Sequence, residues 1–421
     1  MDRNRPRHLR FLEAWPHPAR CVSVRGTPVT RHCSQVPQLR HTRRRARCAS
    51  IRDDNRRSRA CLDKVCAQAH RGARRSRCAV RTRRTVNQPN SLTNTSPGLR
   101  RGWLPVGRPD DFPLDSPRRV ELLGEGVVVV QRRSGLAAYA DRCPHRNARL
   151  SAGRVVDDCI ECPYHGWRFD GAGQCVHVPA LGPAATVPPT AHLSAFRLQE
   201  RYGLIWVALD EPVCELPEIP EWSDPSLRQI WLPPIDINAA AGQFVDNFLD
   251  FGHFPFVHAG TFGAGEDEFI GDYEVQRRED GWGFVVEYPH TIHNNEDPLV
   301  KTGEHPLVQP RNMTYTYGAP FAIVLRLELP ITSVMNVLFT ALQPLNESTT
   351  RVYTAMLRND CATDAKAQHA IDYELEIMAE DLKVIERLWD GTIPLGAGQA
   401  HTRADRNTVE FRRIMQRLLS A

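Results

Sequence analysis

The sequence of 421 residues lacks any long apolar run, and no stretch approaches the roughly 18 residues that a membrane-spanning helix needs. We therefore expect no membrane partner. It also lacks a Gly-x-Gly-x-x-Gly fingerprint after a strand, so the chain should not bind a dinucleotide itself. Hydrophobic residues make up 41% and charged residues 24%, which is ordinary for a globular protein. The length allows two domains or three, at about 150 residues each.

Acidic residues are scarce at the start of the chain. The first 86 residues contain five Asp or Glu and 24 Lys or Arg, whereas the rest has 44 acidic and 30 basic residues. The net charge of +5 conceals this division, and the acidic body argues against nucleic acid as the main partner. The Arg-rich runs of this segment have no helical or strand periodicity, and their positive charges repel one another. They should therefore not form a hydrophobic core. We expect residues 1–97 to be a disordered or non-native basic extension; a nucleic-acid or lipid-binding arm and an organelle transit peptide are the alternatives.

Methionine is absent between the first residue and Met313, and no apolar signal-peptide core follows the first residue. Our hypothesis is that the natural start is a non-Met codon near Val86 or Leu92. We expect the protein to be cytoplasmic. Its 12 Cys residues are unevenly spaced, which predicts metal-binding or reduced thiols rather than a disulfide scaffold.

Short strand-like runs bounded by turns predict a small antiparallel β domain over residues 98–212. A Pro-rich link then leads to a second domain over residues 213–421. In this domain a helix near 240–252 precedes a set of longer strands, at 269–277, 282–288, 313–317, 322–329, 335–342 and 351–357. Apolar residues at helical spacing predict a long helix over 364–389. The fold class we expect is α+β, with the β domain followed by a helix-grip-like curved antiparallel sheet and a long C-terminal helix.

Two Cys-His pairs form the first group of potential metal ligands. Cys143 and His145 frame the sequence C-P-H, and after 16 intervening residues Cys162 and His165 frame C-P-Y-H. Such a set can hold structural zinc in a tetrahedron. It can also hold a [2Fe–2S] cluster with two Cys on one iron and two His on the other. Zinc tolerates many spacings, whereas this spacing is that of the Rieske type, so we favour the Rieske [2Fe–2S] cluster.

A second group of potential ligands lies further along the chain. Asp250 and His253 are three residues apart and would be neighbours on a helix. Pro255 should break that helix, so that His253 and His258 can turn toward one point. Two His and one carboxylate form the facial triad that holds Fe(II) with open positions for O₂. Carboxylate candidates lie on the predicted long helix, at Glu376, Glu380, Asp381 and Glu386.

The motifs C-P-H-R and C-P-Y-H-G-W resemble the Rieske domain of the Rieske non-haem iron oxygenases. One departure is N-A-R at residues 147–149, where the family usually has Gly-Ala-Pro. Asn147 tolerates a left-handed backbone better than most residues, whereas Arg149 adds a charge. The resemblance covers residues 98–390, and it implies that Asp381 is the carboxylate ligand of the iron, with Glu380 as second choice.

The resemblance also assigns roles to two further residues, Asp250 and Asn247. Asp250 matches the family's bridging aspartate, which links a Rieske His of one subunit to an iron-bound His of the next, here His165 and His253. Asn247 matches a position close to the iron. The resemblance therefore implies a homotrimer in which electrons cross between subunits.

Within the family, the chain looks most like the monooxygenase and O-demethylase branch (vanillate demethylase-like). We expect an enzyme that uses O₂ at one mononuclear Fe(II) to hydroxylate or O/N-demethylate a small, aromatic or cyclic substrate. The missing dinucleotide fingerprint predicts a separate NAD(P)H-dependent reductase, with or without a ferredoxin. Three alternatives stay open at this point: an arene cis-dihydroxylating dioxygenase, a non-catalytic Rieske electron carrier and a zinc-stabilised interaction protein.

The second set of strands should line the substrate pocket. The candidates are Tyr288, His290, Ile292, His293, Met313, Tyr315, Phe321 and Leu325.

Overall fold

The computed structural model describes four stretches of the chain, at residues 90–182, 186–263, 267–388 and 390–421. All of them belong to Arg83–Ala421, the second of two compact units. The first unit, Met1–Thr82, lies outside the described residues. Most of the predicted basic extension therefore lies outside them as well.

Runs of apolar and β-branched residues form the strands of the first half, because such side chains pack well on a pleated surface. The four consecutive valines of residues 127–130, for example, are all fully buried. The strands are β1 Ser91–Leu92, β2 Leu104–Gly107, β3 Arg118–Leu122, β4 Glu125–Arg132, β5 Gly135–Ala140, β6 Arg154–Val156, β7 Cys159–Glu161, β8 Arg168–Phe169, β9 Cys175–His177, β10 Ala195–Arg201 and β11 Leu204–Ala208.

Two antiparallel sheets organise this half. Six strands pair in the order β2-β11-β10-β5-β4-β3, and four pair in the order β6-β7-β8-β9. One Cys-His loop follows β5, and the other connects β7 to β8. Phe169 and Leu150 are fully buried in the same apolar cluster as Cys143 and Cys162. Both loops therefore begin inside a packed core.

The second half contains longer strands and all the α-helices of the described residues. Its elements are β12 Arg228–Trp231, β13 Ile235–Ile237, α1 Ala241–Phe248, α2 Phe254–Val257, β14 Gln276–Arg277, β15 Gly283–His293, α3 Pro298–Thr302, β16 Val308–Gly318, β17 Ala322–Leu329, β18 Val334–Pro344, β19 Thr350–Arg358, α4 Asp364–Ile385, β20 Ile393–Pro394 and α5 Arg406–Ser420. Short 3₁₀ helices occur at Pro97–Arg101, Pro109–Asp111, Leu150–Ala152, Pro179–Leu181, Pro220–Ser223 and Arg403–Asp405.

An eight-stranded antiparallel sheet forms the core of this half, in the order β12-β19-β18-β17-β16-β15-β14, with β13 also paired to β19. Helix α4 contacts α1 and α2, and the cavity described below lies between these helices and the sheet. This architecture confirms the expected α+β class. Among the described residues, none of the helices combines the length and apolar character that a bilayer crossing demands.

Several predicted elements differ from the observed ones. The strand expected over 269–277 is reduced to Gln276–Arg277. Its buried Tyr273 donates a hydrogen bond to Ala404 O (2.6 Å) and so ties the segment to the start of α5 by a side chain. Helix α5 was not among the predicted elements, although its buried residues recur at helical spacing: Phe411, Ile414, Met415 and Leu418.

Residues 90–97 correct the predicted boundary of the extension, because they are folded. Strand β1 pairs with β20, where Leu92 opposes Ile393. Leu92 is only 1% exposed, and a Cβ added at Gly242 of α1 would lie 2.8 Å from its Cδ2 atom. The side chain therefore fills a tight space between β20 and α1. The residues near Leu92 in the sequence do not indicate this packing.

Replacing Leu92 by Ala should lower the free energy of unfolding by about 2–5 kcal/mol, since it removes buried methyl groups and leaves a cavity. Urea titration measures this value. Leu114, which is 56% exposed, is the matched control, and Leu114→Ala should change stability by less than about 0.5 kcal/mol. Equal stability of the Leu92 variant and the unsubstituted protein would contradict the role given to β1.

Candidate metal centres

The first Cys-His loop is closed by two backbone hydrogen bonds around a left-handed residue. The amide of Asn147 donates to Cys143 O, and the amide of Cys143 donates to Ala148 O, both at 2.9 Å. Asn147 has a φ of 57°, so it adopts the left-handed backbone for which its residue type is suited. Arg149 is exposed, so the departure from the family pattern does not place a charge inside the loop.

The second Cys-His loop repeats this geometry. The amide of Cys162 donates to Trp167 O (2.8 Å), and the amide of Gly166 donates to Cys162 O (3.0 Å). Gly166 has a φ of 68°, which a residue with a Cβ rarely adopts. The two loops are therefore similar turns, each starting at a Cys.

Together the loops place two thiols inside the core and two imidazoles at the surface. Cys143 and Cys162 are 1% and 2% exposed, whereas His145 and His165 are exposed. The two imidazole centroids are 4.5 Å apart, and His145 stacks on Trp167, also at 4.5 Å. A cluster with two Cys on one iron and two His on the other needs such a division between an inner and an outer side.

The chemistry of the two thiols fits a positively charged group. Burial, with the neighbouring Cys162, raises the pKa of the Cys143 thiol to about 11. Thiolates, not thiols, ligate metals. Both groups would therefore ionise in this core when iron is bound to them. The donor set fits a [2Fe–2S] cluster held by Cys143, Cys162, His145 and His165.

Two of the candidate iron ligands flank α2, a helix of one turn. His253 and His258 lie immediately before and after it, and Pro255 lies in its first turn, where a missing amide proton is tolerated. The predicted role of Pro255 as a helix breaker is wrong, because α1 has already ended at Phe248. A single turn between the two His brings their ring centroids to 5.0 Å.

Asp381 on α4 completes a triangle with the two imidazoles. The Nε2 atoms of His253 and His258 are 3.2 Å apart. Oδ1 of Asp381 lies 3.5 Å from the first and 3.2 Å from the second. Ligand atoms about 2.1 Å from an ion and at right angles to one another are separated by about 3 Å. The three atoms thus have the spacing of one face of an octahedron around a metal ion.

Glu380, the second choice for the carboxylate ligand, lies on the other side of the imidazole. Its Oε2 atom is 3.0 Å from Nδ1 of His258 and accepts a hydrogen bond from Thr261 Oγ1 (2.7 Å). Adjacent residues on a helix point about 100° apart, so Glu380 and Asp381 reach opposite nitrogens of one ring. The structure therefore brings Asp381, not Glu380, to the Nε2 atoms.

Asn247 and Asp250 contact the triangle from outside. Nδ2 of Asn247 donates to Oδ1 of Asp381 (2.8 Å). Oδ2 of Asp250 is 3.3 Å from Nδ1 of His253, and its Oδ1 accepts from the amide of Gly252 (3.0 Å). The prediction that Asp250 and His253 are neighbours on one helix is wrong. A turn that contains the hydrogen bond from Gly252 to Asp250 separates α1 from α2. The contact between them nevertheless forms.

The electrostatics of the triangle favour charged groups. Burial opposes the positive charge of His253, but Asp250 and Asp381 outweigh burial and raise its pKa to about 9. Burial also opposes ionisation of Asp381, yet hydrogen bonds from His253, His258 and Asn247 hold its pKa well below the ordinary value. The pKa of Asp250 is likewise lowered, because His253 and the Gly252 amide outweigh its burial. The carboxylates of Asp250 and Asp381 therefore favour a positive charge at this position.

A cavity of about 170 Å³ lies against the triangle. A single water needs only about 10–15 Å³ by this measure, so the cavity can hold a small organic molecule. Its lining includes all three candidate ligands together with apolar residues: Phe244, Phe248, Phe254, Phe262, Leu325, Leu327, Leu338 and Met378.

Five of the eight predicted pocket residues line this cavity: Ile292, His293, Met313, Tyr315 and Leu325. The other three do not. Tyr288 stacks on Phe251 with centroids 4.8 Å apart, and His290 accepts hydrogen bonds from Arg311 through Nε2. Phe321 is 1% exposed and belongs to the core. These side chains are occupied by packing or by a neighbour rather than directed at a ligand.

Helix α4 supplies cavity residues that the sequence patterns did not single out. Ala370, Glu374 and Met378 line the cavity with Asp381. They precede it by eleven, seven and three residues, which are near-whole numbers of helical turns. Counting back from Asp381 at helical spacing would have identified them.

The affinity of the metal-free triangle for a divalent cation should depend on pH. A pKa of about 9 means that His253 keeps its proton below that pH, and a metal must displace it because His binds metals in its neutral form. Affinity for Co²⁺ should therefore rise about tenfold per unit between pH 6 and pH 8. Calorimetric titration measures this slope. His369→Ala, at a side chain that is 78% exposed, should leave it unchanged, and a flat profile would contradict the charge assignment.

Two family descriptions match the chain. Residues 102–189 match the Rieske [2Fe-2S] domain, and residues 237–421 match the vanillate O-demethylase oxygenase C-terminal domain. The first range contains both Cys-His loops, and the second contains the whole triangle. A Rieske domain implies a [2Fe–2S] cluster, and the oxygenase family depends on non-haem iron.

Two demethylases and one solved structure align with this chain over most of their length. Methylxanthine N1-demethylase NdmA from Pseudomonas putida is 33% identical over 331 residues, which are 77% of this chain and 90% of the relative. Methylxanthine N3-demethylase NdmB from the same organism is 30% identical over 330 residues, or 75% and 88%. The structure of P. putida NdmA with caffeine aligns with a TM-score of 0.64 and 32% identity, covering 76% of this chain and 91% of that one. The chain therefore belongs to the Rieske non-haem iron oxygenases, as an alpha subunit and an oxidoreductase.

Proposed function

We propose that this chain is an oxygenase component that hydroxylates or O/N-demethylates a small, aromatic or cyclic substrate at one mononuclear Fe(II). The observation that carries the proposal is the convergence of His253, His258 and Asp381 at a cavity able to hold such a molecule. NdmA and NdmB are N-demethylases by name, and the matching C-terminal domain is named for an O-demethylase. These names support removal of a methyl group.

The metal groups supply the redox chemistry: bound Fe(II) would activate O₂, and the cluster would deliver electrons one at a time. Inserting one oxygen atom into a C–H bond of an N- or O-methyl group gives a product that releases formaldehyde. The other oxygen atom leaves as water, which takes up two electrons and two protons. The chain must therefore hold the methyl group close to the triangle and admit electrons from outside.

The protein's part in this reaction begins with orientation of the ligands. Glu380 and Asp250 contact the Nδ1 atoms of the two imidazoles, which fixes the rings so that both Nε2 atoms face one point. Asn247 holds Oδ1 of Asp381 through its amide. We propose His253, His258 and Asp381 as the iron ligands, with Asn247 and Asp250 as the supporting residues.

The cavity would position the substrate. Phe248, Phe254 and Phe262 come from three different segments, and they give the wall beside the triangle an aromatic, apolar character. Such a wall favours a flat ring over water and leaves few polar groups to compete for it. The polar side chains of the cavity would then fix which end of the ring meets the iron.

A homotrimer is part of the proposal, with electrons crossing between subunits. Asp250 contacts His253 and keeps 34% of its side chain exposed. His145 and His165 are exposed at the outer edge of the cluster loops. His165 and Asp250, the two residues that would meet across the subunit boundary in the implied path to His253, are therefore accessible to a neighbouring subunit. The domain division near residue 212 and the cytoplasmic location remain predictions.

Rieske oxygenases of this kind use O₂, a small-molecule substrate and a separate reductase or electron carrier. An NAD(P)H-dependent reductase, with or without a ferredoxin, is the partner we propose, in keeping with the missing dinucleotide fingerprint. The alternative of a non-catalytic electron carrier requires that the three ligands do not converge, and their ligand atoms lie within 4.8 Å of one another. The same site would also serve cis-dihydroxylation, but the relatives that share most of their length are demethylases.

His258→Ala should abolish turnover and leave the visible spectrum of the cluster intact, because the two centres use different residues. Iron analysis should give three atoms per chain in the unsubstituted protein and two in the variant. His369→Ala, at a surface side chain, is the control and should keep all three. Loss of the cluster spectrum together with the mononuclear iron would refute the two-centre assignment.

Asp250→Asn should retain both centres but lower turnover by about 10- to 100-fold, since it removes the charge that orients His253 and that links the subunits. Steady-state turnover with a surrogate reductase measures the loss, and iron analysis shows whether both centres persist. Asp372→Asn, on the exposed face of α4, is the matched control. An Asp250 variant with normal turnover would remove this residue from the proposed path.

A further inference from the structure

The cavity has a polar wall that the proposed reaction does not use. Glu374 lies on α4, two turns before Asp381, and both residues line the cavity. Seven residues of helix rise by about 10 Å, so Glu374 stands across the cavity from the iron position. Glu296, from the start of the α3 region, and Asn336 of β18 also line the cavity. The length between Asp381 and Glu374 is that of a molecule with one or two rings.

The cationic side chains of this wall are already engaged. Arg358 donates from Nε and Nη2 to the two carboxylate oxygens of Asp360, both at 2.9 Å. Arg311 donates to Nε2 of His290. An anionic ligand would therefore compete with existing partners for both guanidinium groups.

Two acceptors of the wall, in contrast, lack partners among the described residues, and a third has one long contact. Within the described part of the chain, Glu374 has neither a hydrogen bond nor an ion pair. Oε1 of Glu296 lies 3.9 Å from Nε2 of His369. Oδ1 of Asn336 is buried and also has no partner among the described residues. Polar groups inside a protein are normally satisfied, so Glu374 and Asn336 are suited to donors on a ligand. The Glu296 side chain is 47% exposed and adds a further carboxylate to this wall.

The pKa shifts of Glu374 and Glu296 agree with this geometry. Burial, with the negative charge of Asp381, raises the pKa of Glu374 to about 7, although Arg358 opposes the rise. Burial also raises the pKa of Glu296, although Arg358 opposes the rise. A positive or hydrogen-donating group near Glu374 would stabilise its ionised form, whereas a carboxylate would add a further negative charge to this wall.

We propose that the substrate carries a cationic or N–H-donating nitrogen at the end opposite to its methyl group, held by Glu374 and Glu296, and that the cavity selects against carboxylates. This inference rests on the proposed function, because it places the methyl group at the triangle. It narrows the substrate class to nitrogen-bearing ring compounds.

Two probes of equal size test this selection: 4-methoxybenzylamine, which is a cation at pH 7, and 4-methoxybenzoate, which is an anion. Calorimetry on the purified, iron-loaded full chain without reductase gives the affinity for each. The unsubstituted protein should prefer the amine by about 10-fold or more, the scale of one hydrogen bond to a charged group. Glu374→Gln should remove most of that preference, and Glu296→Gln should act in the same direction.

Glu376→Gln is the matched control, because Glu376 lies on the same helix but is exposed, and it should keep the preference. Equal or tighter binding of the carboxylate, or an unchanged preference in both Glu374→Gln and Glu296→Gln, would overturn the inference. If one of Glu374→Gln and Glu296→Gln loses its iron or the cluster spectrum, the other variant is used in the comparison instead. If the unsubstituted protein holds no mononuclear iron, the proposed function fails, whereas the ratio of the two affinities still decides this inference.

Discussion

The meeting of α2 and α4 is the constraint on which the catalytic half of this molecule depends. His258 and Glu380 are 122 residues apart in sequence, yet their side chains are 3.0 Å apart. That contact fixes the rotation of α4, and the next residue, Asp381, is then directed at the other nitrogen of the same ring. Because the carboxylates keep the imidazoles oriented without a metal, the protein presents three ligand atoms already arranged for one ion.

The two metal centres are built in different ways, and this difference suits their tasks. Each Cys-His loop is a local turn closed by backbone hydrogen bonds, so the cluster needs only two neighbouring loops and a small core beneath them. The iron position needs a sheet, two helices and a cavity. The imidazoles of the loops are exposed, and Asp250 behind His253 is partly exposed. In the proposed trimer, contact between subunits would therefore join electron storage at a surface to oxygen chemistry in an enclosed site.

Local patterns predicted the features that depend on a few consecutive residues. The spacing of Cys143, His145, Cys162 and His165 and the apolar period of α4 belong to this class. Sequence did not reveal that Pro255 lies within the first turn of α2 or how Leu92 packs, because these depend on neighbours distant along the chain. The resemblance to a known family supplied one feature of this kind, because it indicated Asp381 as the carboxylate ligand. Glu374 was missed because a lone acid on a helix is usually solvated, and only the cavity distinguishes it from Glu376.

The most direct test of the two-centre account is an iron-edge anomalous diffraction map from crystals of the purified protein. The account predicts a strong peak between the loops of Cys143 and Cys162 and a separate single-ion peak between His253, His258 and Asp381. A zinc edge at the first position, or an iron-replete protein with no density at the second, would contradict it.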